Sequence, residues 1–408
     1  MKKLLLTTAA LAGCVGRWFD TRPQGNAAQS PAPFRIGLAT DMSSAYSDFT
    51  GKGSVAAVQM AIEDFGGKVL DRKIELLTAD HQLKPSVGSS IVTDWFDRDN
   101  VSVVVGLAGS SVALAAQAIA KNRPKKMLLH TVAQTTELAG KSCLPNAIHW
   151  TPDFYALAVA VTRYMTQHGG KSWYVMIQDT AAGPPARAAA LTGLQGAGGR
   201  MIGEISVPLN AGDVSSYVLQ AQASGAQNVA IGFAGTDMVN VVKAGDAFGL
   251  RQMGITLVSL SLFNSAVVSM GLELGHGITF ATPFYATMSD ETRAWSKRFK
   301  ERSGQFPDYT HVGEYEATLH YLKTVQAVGT DDATVVAPAM RATPVNSFAL
   351  KGGIIRADNQ LARPMYLGRV KAPADSKGAD DLLDVIGTVP PEEAFSPLAE
   401  SDCPMVRK

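Results

Sequence analysis

Short apolar runs alternate with amphipathic stretches along most of the chain, and this alternation predicts the fold class. Residues 101–105 form a β-branched run without polar alternation, which is typical of a strand buried on both faces of a sheet. An Ala-rich helical stretch follows at 112–120. Similar pairs recur as far as residue 281, so the sequence predicts an α/β protein with helices on both faces of parallel sheets.

The alternation falls into two similar units. The predicted strands of the first unit lie at 34–39, 73–79, 101–105 and 126–130, and those of the second lie at 173–178, 201–207, 228–233, 255–260 and 278–281. After Pro283 the pattern changes to helices near 289–303 and 311–328, followed by a short helix and a strand-like tail. Ligands of open parallel sheets bind at the carboxyl ends of the strands, so the loops there are the candidate site.

Ser110 and Ser111 follow a glycine turn between the strand at 101–105 and the next helix. One interpretation is that a serine caps the helix, because serine is a favoured N-cap residue. The other is that the hydroxyls and the unpaired first-turn amides receive a carboxylate or another anion. Spacing alone leaves both interpretations open.

Two further positions have a structural and a functional interpretation. Asp237 opens a helix directly after the apolar strand at 228–233, where it either caps the helix or meets a cationic or hydroxyl group of a ligand. Tyr285 lies where the chain leaves the second unit, and an aromatic residue there packs in a core or a hinge, or contacts a ligand.

The N-terminus has the features of an export segment. Lys2 and Lys3 precede a short apolar core at 4–12, and residues 15–33 form a tether rich in Pro, Gly, Gln, Asn and Ser. The sequence Leu-Ala-Gly-Cys ending at Cys14 is similar to a bacterial lipobox, which predicts a lipid anchor; cleavage further along is the alternative. Cys143 and Cys403 then remain as a disulfide pair or as two free thiols.

Composition narrows the function classes. The chain has 408 residues, room for two domains, and a formal net charge of +1, which gives no electrostatic footprint for nucleic acid. Phosphate-binding, dinucleotide, zincin and CxxC motifs are missing, and the seven histidines lack metal-ligand spacing, so we predict neither cofactor nor metal. Ser111 and His130 both end strands and could form a hydrolase pair, but no GxSxG elbow supports it.

A set of motifs in fixed order resembles a known family. The motifs are IGLATDMSSAYSDFTGKGS, IELLTADHQLKP, VVVGLAGSSVALA, HWTPDFYALA, GFAGTDMVNVVKAGDAFGL and the tail MYLGRVKAPADSKG with DCPMVRK. From about Phe34 to the C-terminus they resemble the leucine/isoleucine/valine-binding branch of the periplasmic substrate-binding proteins of ABC transporters.

The resemblance implies the type I fold, with two Rossmann-like lobes that have parallel central sheets and are joined by a three-crossover hinge. Lobe 1 would contain residues 34–152 and 284–345, and lobe 2 residues 153–283 and 346–408. The residues that match the family's ligand contacts are Ser110 and Ser111 for a carboxylate, Ala133 and Gln134 beside it, Tyr46 over the ligand, Asp237 in the second lobe and Tyr285 near the last crossover.

Two departures from the family pattern bear on the ligand. The stretch 178–183 has alanine where amino-acid binders carry an aromatic residue, and the stretch 259–264 lacks the acidic residue that pairs with a ligand amine. Both departures favour a carboxylate without an α-amine over an amino acid.

The predicted function is therefore a non-enzymatic, extracytoplasmic and monomeric solute-binding component of an ABC importer. It would trap a small carboxylate, either an amino acid or an aromatic or aliphatic acid, and deliver it to a membrane permease. A sensor subunit of a signalling system is one alternative, and a hydrolase that uses Ser111 and His130 is a weaker one.

Overall fold

The first lobe is built on a six-stranded sheet. A computed structural model describes residues 31–406, so Cys14, the export signal and nearly all of the predicted tether lie outside the described residues. The strands of this sheet are β1 (Phe34–Thr40), β2 (Lys68–Val69), β3 (Arg72–Asp80), β4 (Val103–Gly106), β5 (Met127–His130) and β6 (Ala147–His149). Their order is β2-β3-β1-β4-β5-β6, and every pairing is parallel except that of β2 with β3.

The second lobe begins with a parallel arrangement of the same kind. Its first five strands are β7 (Ser172–Gln178), β8 (Arg200–Val207), β9 (Asn228–Gly232), β10 (Thr256–Ser259) and β11 (Thr279–Thr282). They pair in the order β11-β10-β9-β7-β8, all parallel. The inner strands β7, β9, β10 and β11 are mostly apolar, as expected where helices cover both faces of a sheet, whereas the edge strand β8 exposes alternate residues.

The return of the chain to the second lobe differs from the prediction. A two-stranded hairpin, β12 (Ile354–Ile355) and β13 (Leu361–Ala362), comes first, and β14 (Met365–Val370) and β15 (Leu383–Val389) follow. Ile355 and Leu361 pack in the first lobe's core, and Gln360 bridges His149 at the end of β6. Residues 346–362, expected in lobe 2, therefore lie against lobe 1.

Strands β14 and β15 complete the second sheet in antiparallel orientation. β14 pairs with β11, and β15 pairs with β14 at the sheet edge. Only residues 371–382 join them, without a crossover helix, and such a link places the next strand antiparallel. Both sheets are thus mostly parallel but mixed, whereas the sequence predicted parallel sheets.

Helices cover both sheets. They are α1 (Gly51–Phe65), α2 (Pro85–Asp97), α3 (Ser110–Ala120), α4 (Phe154–Gln167), α5 (Gly183–Gly196), α6 (Ser215–Ala223), α7 (Gly235–Ala247), α8 (Asn264–Gly275), α9 (Asp290–Ser303), α10 (Tyr309–Val328), α11 (Ala333–Ala342) and α12 (Pro391–Ala394). Helix α10 belongs to the first lobe, since Tyr321, Leu322 and Val325 are buried in the same core as Ile36 on β1. No helix in residues 31–406 is long and apolar enough to cross a membrane.

The two lobes are connected by three passages of the chain and by a disulfide. The chain passes between the sheets after β6, after β11 and after β13. The tail beyond β15 packs on α4 through Phe395 and then reaches the first lobe, where Cys403 is bonded to Cys143 with their Cα atoms 5.5 Å apart. This bond closes a loop across 260 positions of sequence.

Candidate functional site

A cavity of about 90 Å³ lies between the lobes, at the carboxyl ends of the strands of both sheets. The lining residues are all uncharged: Tyr46, Phe49, Leu83, Gly109, Ser110, Ser111, Val132, Ala133, Gln134 and Phe154 from the first lobe and its crossover, and Gln178, Thr180, Ala181, Ala182, Leu209, Gly232, Phe233, Ala234, Ser261 and Phe263 from the second. The cavity walls formed by these residues are therefore mainly apolar, with a few hydroxyl and amide groups.

The first turn of α3 faces this cavity. Gly109, with φ of 82°, precedes the helix, and no side chain caps it. The first amide bonded within the helix is that of Ala113, which donates to the carbonyl of Gly109. Ser110 and Ser111 occupy the first two helical positions instead of capping the helix, so their hydroxyls and the first-turn amides form a group of donors suited to an anion.

Tyr46 lies over the cavity because Asp41 organises the loop that carries it. The buried carboxylate of Asp41 accepts hydrogen bonds from the amides of Ser44 and Tyr46 at 3.0 and 2.8 Å, and from the Ser44 hydroxyl at 2.7 Å. Burial, reinforced by the carboxylates of Asp237 and Asp41, raises the pKa of Tyr46 to about 12. Its phenol therefore stays neutral at physiological pH and offers a donor rather than a charge.

Gln134 lines the cavity, but its amide group already bonds to protein atoms of both lobes. Its Nε2 donates to the hydroxyl of Tyr309 on α10, and its Oε1 accepts from the hydroxyl of Ser261 in the second lobe at 2.9 Å. Ala133, beside it, lines the cavity while its carbonyl oxygen accepts from His149 Nε2 at 2.7 Å. Gln134 thus links the two lobes beside the cavity.

Asp237 lies behind the cavity wall. Its Oδ2 accepts hydrogen bonds from Gln178 Nε2 at 2.7 Å and from the amide of Asn210 at 2.8 Å, and only 4% of the residue is exposed. A carboxylate can only accept, so the Gln178 amide nitrogen must face it. Asp237 therefore orients Gln178, which does line the cavity, and this arrangement replaces the predicted direct contact of Asp237 with a ligand.

Tyr285 does not line the cavity. It packs against the second lobe's core, and its ring meets that of Tyr366 on β14 edge to face, with centroids 5.4 Å apart. The structure therefore places Tyr285 outside the cavity lining, because the chain leaves β11 on the side where β14 pairs with it.

Several cavity residues were missed at the sequence level. Gln178 ends β7, Phe233 follows β9, and Ser261 and Phe263 follow β10, so all of them stand just past strand ends in the second lobe. The rule that ligands bind at the carboxyl ends of parallel strands could have found them. Thr180, Ala181 and Ala182 fall in the stretch where the family carries an aromatic residue, and their small side chains leave the space open.

The lobes are closed on each other around the cavity. At Gly235, with φ of 59°, a Cβ atom would collide with the backbone oxygen of Ala45 in the other lobe, so glycine is required there. The rings of Phe49 and Phe263 also meet across the cleft. These contacts form only when the lobes come together.

The hydrolase alternative gains no support from this geometry. His130 is completely buried and is not among the cavity residues, whereas Ser111 is exposed at the cavity. Burial, together with His149, lowers the pKa of His130 to about 3. Among the described residues, no group of three or more His, Cys, Asp or Glu side chains could hold a metal ion.

A two-lobed α/β architecture with an interlobe cavity at the uncapped N-terminus of α3 matches a described family. The family model for periplasmic binding proteins matches residues 33–379. The chain belongs to this family. It is a periplasmic binding protein of the Leu/Ile/Val-binding type that serves ABC transporters, a family of solute-binding proteins rather than of enzymes. Membership implies an extracytoplasmic location.

Individual relatives agree with this assignment. A "Leu/Ile/Val-binding protein homolog 4" of Brucella abortus is 24% identical over 94% of this chain and 95% of its own length. A branched chain amino acid ABC transporter periplasmic ligand-binding protein of Burkholderia xenovorans LB400 is 38% identical, with a TM-score of 0.84 over 92% of this chain and 100% of that one. A solute binding protein of Rhodopseudomonas palustris BisB5, solved in complex with 3,4-dihydroxy benzoic acid, shares the fold at 20% identity, with a TM-score of 0.80 over 88% and 98% of the two chains.

Proposed function

We propose that this periplasmic binding protein captures a small carboxylate that lacks an α-amine and delivers it to the permease of an ABC transporter. The observation that carries the proposal is that the uncapped N-terminus of α3, with its two serine hydroxyls, faces a cavity whose wall has no charged side chain. The carboxylate would lie against the first turn of α3, where Ser110 and Ser111 supply hydroxyl donors. Buried carboxylates need several such donors to offset their desolvation.

The second-lobe wall supports the absence of an amine. An ammonium group has three donors and a full charge, and burying it without a partner is costly. The nearest second-lobe carboxylate, Asp237, already accepts from Gln178 and from the amide of Asn210. The rest of that wall is formed by apolar groups and by the neutral side chains of Thr180 and Ser261.

The size of the cavity favours a short acid. A cavity of about 150 Å³ accepts benzene in an engineered protein, and the present cavity measures about 90 Å³. Aliphatic acids of a few carbons match a cavity of this volume, and an aromatic acid such as that in the Rhodopseudomonas palustris complex is a larger candidate for the same cleft. Both classes therefore belong in the test, together with the branched-chain amino acids suggested by the Burkholderia xenovorans protein.

The test compares acids that differ only in the amine. Ligand-stripped protein is titrated calorimetrically, after a thermal-shift screen, with two pairs that differ only in the α-amine, propanoate with alanine and 4-methylpentanoate with leucine. Benzoate and 3,4-dihydroxybenzoate are titrated separately as aromatic acids. A true ligand stabilises the native state by about 2.7 kcal/mol at a hundredfold excess over Kd. We expect the amine-free member of a pair to bind at least tenfold more tightly. Preference for alanine or leucine would overturn the proposal.

A second arm tests the position of the carboxylate. Ser111→Phe places a bulky group at the first turn of α3 and should abolish binding without changing the fold. Ser216→Phe is the matched control, because Ser216 is an exposed serine at the second position of α6, away from the cavity. Unchanged affinity in Ser111→Phe would exclude this helix end as the carboxylate site.

A further inference from the structure

Helix α8 of the second lobe begins without a cap of its own. Phe263 occupies its N-cap position and offers no side-chain acceptor. The first-turn amides of such a helix are unpaired within it, and a helix end buried without partners is costly. The partner in this protein comes from the other lobe.

That partner is Asp308, which precedes α10 in the first lobe. Its carboxyl group accepts hydrogen bonds from the amide of Asn264 and, at 3.4 Å, from the amide of Ser265. The Asn264 side chain returns a bond from Nδ2 to the carbonyl oxygen of Pro307 at 2.9 Å. Asp308 is completely buried, so solvent does not compete for the hydrogen bonds that its carboxyl group accepts.

Asp308 also has a role within its own lobe. It is the N-cap residue of α10, and its amide donates to Nδ1 of His311 at 2.9 Å. One side chain therefore stands at the N-termini of two helices that belong to opposite lobes. Burial raises its pKa to about 7, and the bonds from Ser265 and Asn264 oppose that rise. Its oxygens accept hydrogen bonds from these amides in either protonation state.

We propose that Asp308 is a positioning residue for ligand capture, which stabilises the closed form by capping α8 from the opposite lobe. This inference rests on the proposed function, because it concerns the closure that retains the ligand. Opening removes the cap from α8 and exposes the Asp308 carboxyl to water. Asp308 does not line the cavity, so its effect on affinity passes through the closed–open equilibrium.

The decisive variant is Asp308→Ser. Serine caps α10 about as well as aspartate does, but its hydroxyl is one atom shorter and does not reach the amides of α8. We expect the ligand's dissociation rate to rise on the order of tenfold, because the first-turn amides of α8 lose their acceptor, while the association rate stays within about twofold. Asp308→Asn keeps one acceptor oxygen, so its ligand dissociation rate should lie between those of the wild-type protein and Asp308→Ser.

Asp332→Ser is the matched control. Asp332 is the N-cap of α11 and accepts from the amide of Thr334, so the change alters a cap within one lobe only. Stopped-flow tryptophan fluorescence gives both rate constants, and thermal melts report stability. If the ligand dissociated from Asp308→Ser at the same rate as from Asp332→Ser, the role of Asp308 in closure would be overturned. The proposed ligand class would not be affected by that result.

A second readout distinguishes failure of the proposed function from failure of the proposed role of Asp308. If the wild-type protein binds none of the tested acids, spin labels at the exposed positions Lys121 and Met253 report the interlobe distance directly. We expect Asp308→Ser to lengthen the mean distance relative to wild type. Identical distance distributions would overturn the role of Asp308 independently of any ligand.

Discussion

Phe49 of the first lobe and Phe263 of the second lie face to face, with ring centroids 3.8 Å apart and planes inclined by 9°. Both rings border the cavity, and Phe263 also stacks on Tyr309 at 5.2 Å. The Phe49–Phe263 contact joins the lobes, so its energy contributes to closure rather than to the stability of either lobe alone.

This contact predicts that substitutions at the two positions, which are far apart in sequence, have coupled effects on ligand binding. Phe49→Leu and Phe263→Leu should each weaken ligand binding, and the double variant should lose less than the sum of the single losses. An aromatic pair is worth about 1 kcal/mol beyond its buried area, so we expect a coupling energy of that order. Titration calorimetry on the wild-type protein, the two single variants and the double variant gives the double-mutant cycle. Strict additivity would mean that the stack plays no part in closure.

The control is a stack inside the first lobe. Trp295 and Phe348 have ring centroids 4.6 Å apart and do not border the cavity. Phe348→Leu should lower the melting temperature and leave ligand affinity within about twofold of the wild-type value.

Asp237 should affect the ligand through Gln178. In Asp237→Asn the two donors that share Oδ2 would exchange a carboxylate oxygen for a neutral amide oxygen, which weakens both hydrogen bonds and costs about 1 kcal/mol of unfolding free energy. Gln178 would then be held less firmly, so we expect weaker ligand binding as well. Asp213→Asn is the control, because Asp213 caps an exposed turn of the same lobe. Chemical denaturation and calorimetry check both effects.

If Asp237 bound a ligand amine directly, Asp237→Asn would selectively weaken amino acids. The present geometry predicts an equal loss for amine-bearing and amine-free acids. The ratio of the two losses therefore tests the interpretation of Asp237 as an orienting residue.

His130 should make the protein less stable in acid. Its folded pKa is about 3, and the unfolded value is about 6.5. As the pH falls from 7 to 5, the unfolded chain takes up a proton that the folded chain does not, so stability is lost, by about 2 kcal/mol for this residue. His130→Asn should reduce the loss measured by urea unfolding at the two pH values. His168→Asn, at an exposed position, should leave the loss unchanged.

Glu314 on α10 should act in the opposite direction. Burial outweighs the opposing effect of the Ser54 hydroxyl and raises the pKa of Glu314 to about 8. Between pH 5 and pH 7 the unfolded chain ionises this group while the folded chain keeps it neutral, so its contribution falls as the pH rises, on the order of 2 kcal/mol. Glu314→Gln should remove that fall. The control is Glu273→Gln at an exposed position, which should keep the wild-type dependence of stability on pH. If Glu314→Gln also kept that dependence, the raised pKa of Glu314 would be contradicted.

The fold was largely predictable because its strands are local apolar patterns. The strand at 101–105 is predicted by its β-branched run, and it is observed as β4 with all four residues buried. The antiparallel β14 and β15 were not predictable in the same way, since strand direction depends on the connection and not on the residues of the strand. The packing of the hairpin of β12 and β13 on the first lobe was not predictable for a related reason: the two strands have two residues each, too few for a periodic pattern.

The candidate site was predictable where a motif marks it and not elsewhere. Ser110 and Ser111 follow a glycine turn that is visible in the sequence, and both line the cavity. The packing of Tyr285 on Tyr366 was not predictable, because the sequence around an aromatic residue at a crossover is the same whether the ring faces a ligand or another side chain. Asp308 carries no signal beyond that of an ordinary N-cap, since its partners Asn264 and Ser265 are more than forty positions away.

The interleaving of the two lobes has a consequence for the order of events during export. The first lobe needs α10 and the hairpin at 354–362 to bury its core, and the second needs β14 and β15 to complete its sheet. Neither lobe can finish folding as its own residues emerge from the membrane, so the domain-by-domain order typical of sequential folding is not open to this chain. Cys403 then bonds Cys143 only after the 260 positions that separate them have been translocated, which makes the disulfide a marker that the segments of both lobes are present together.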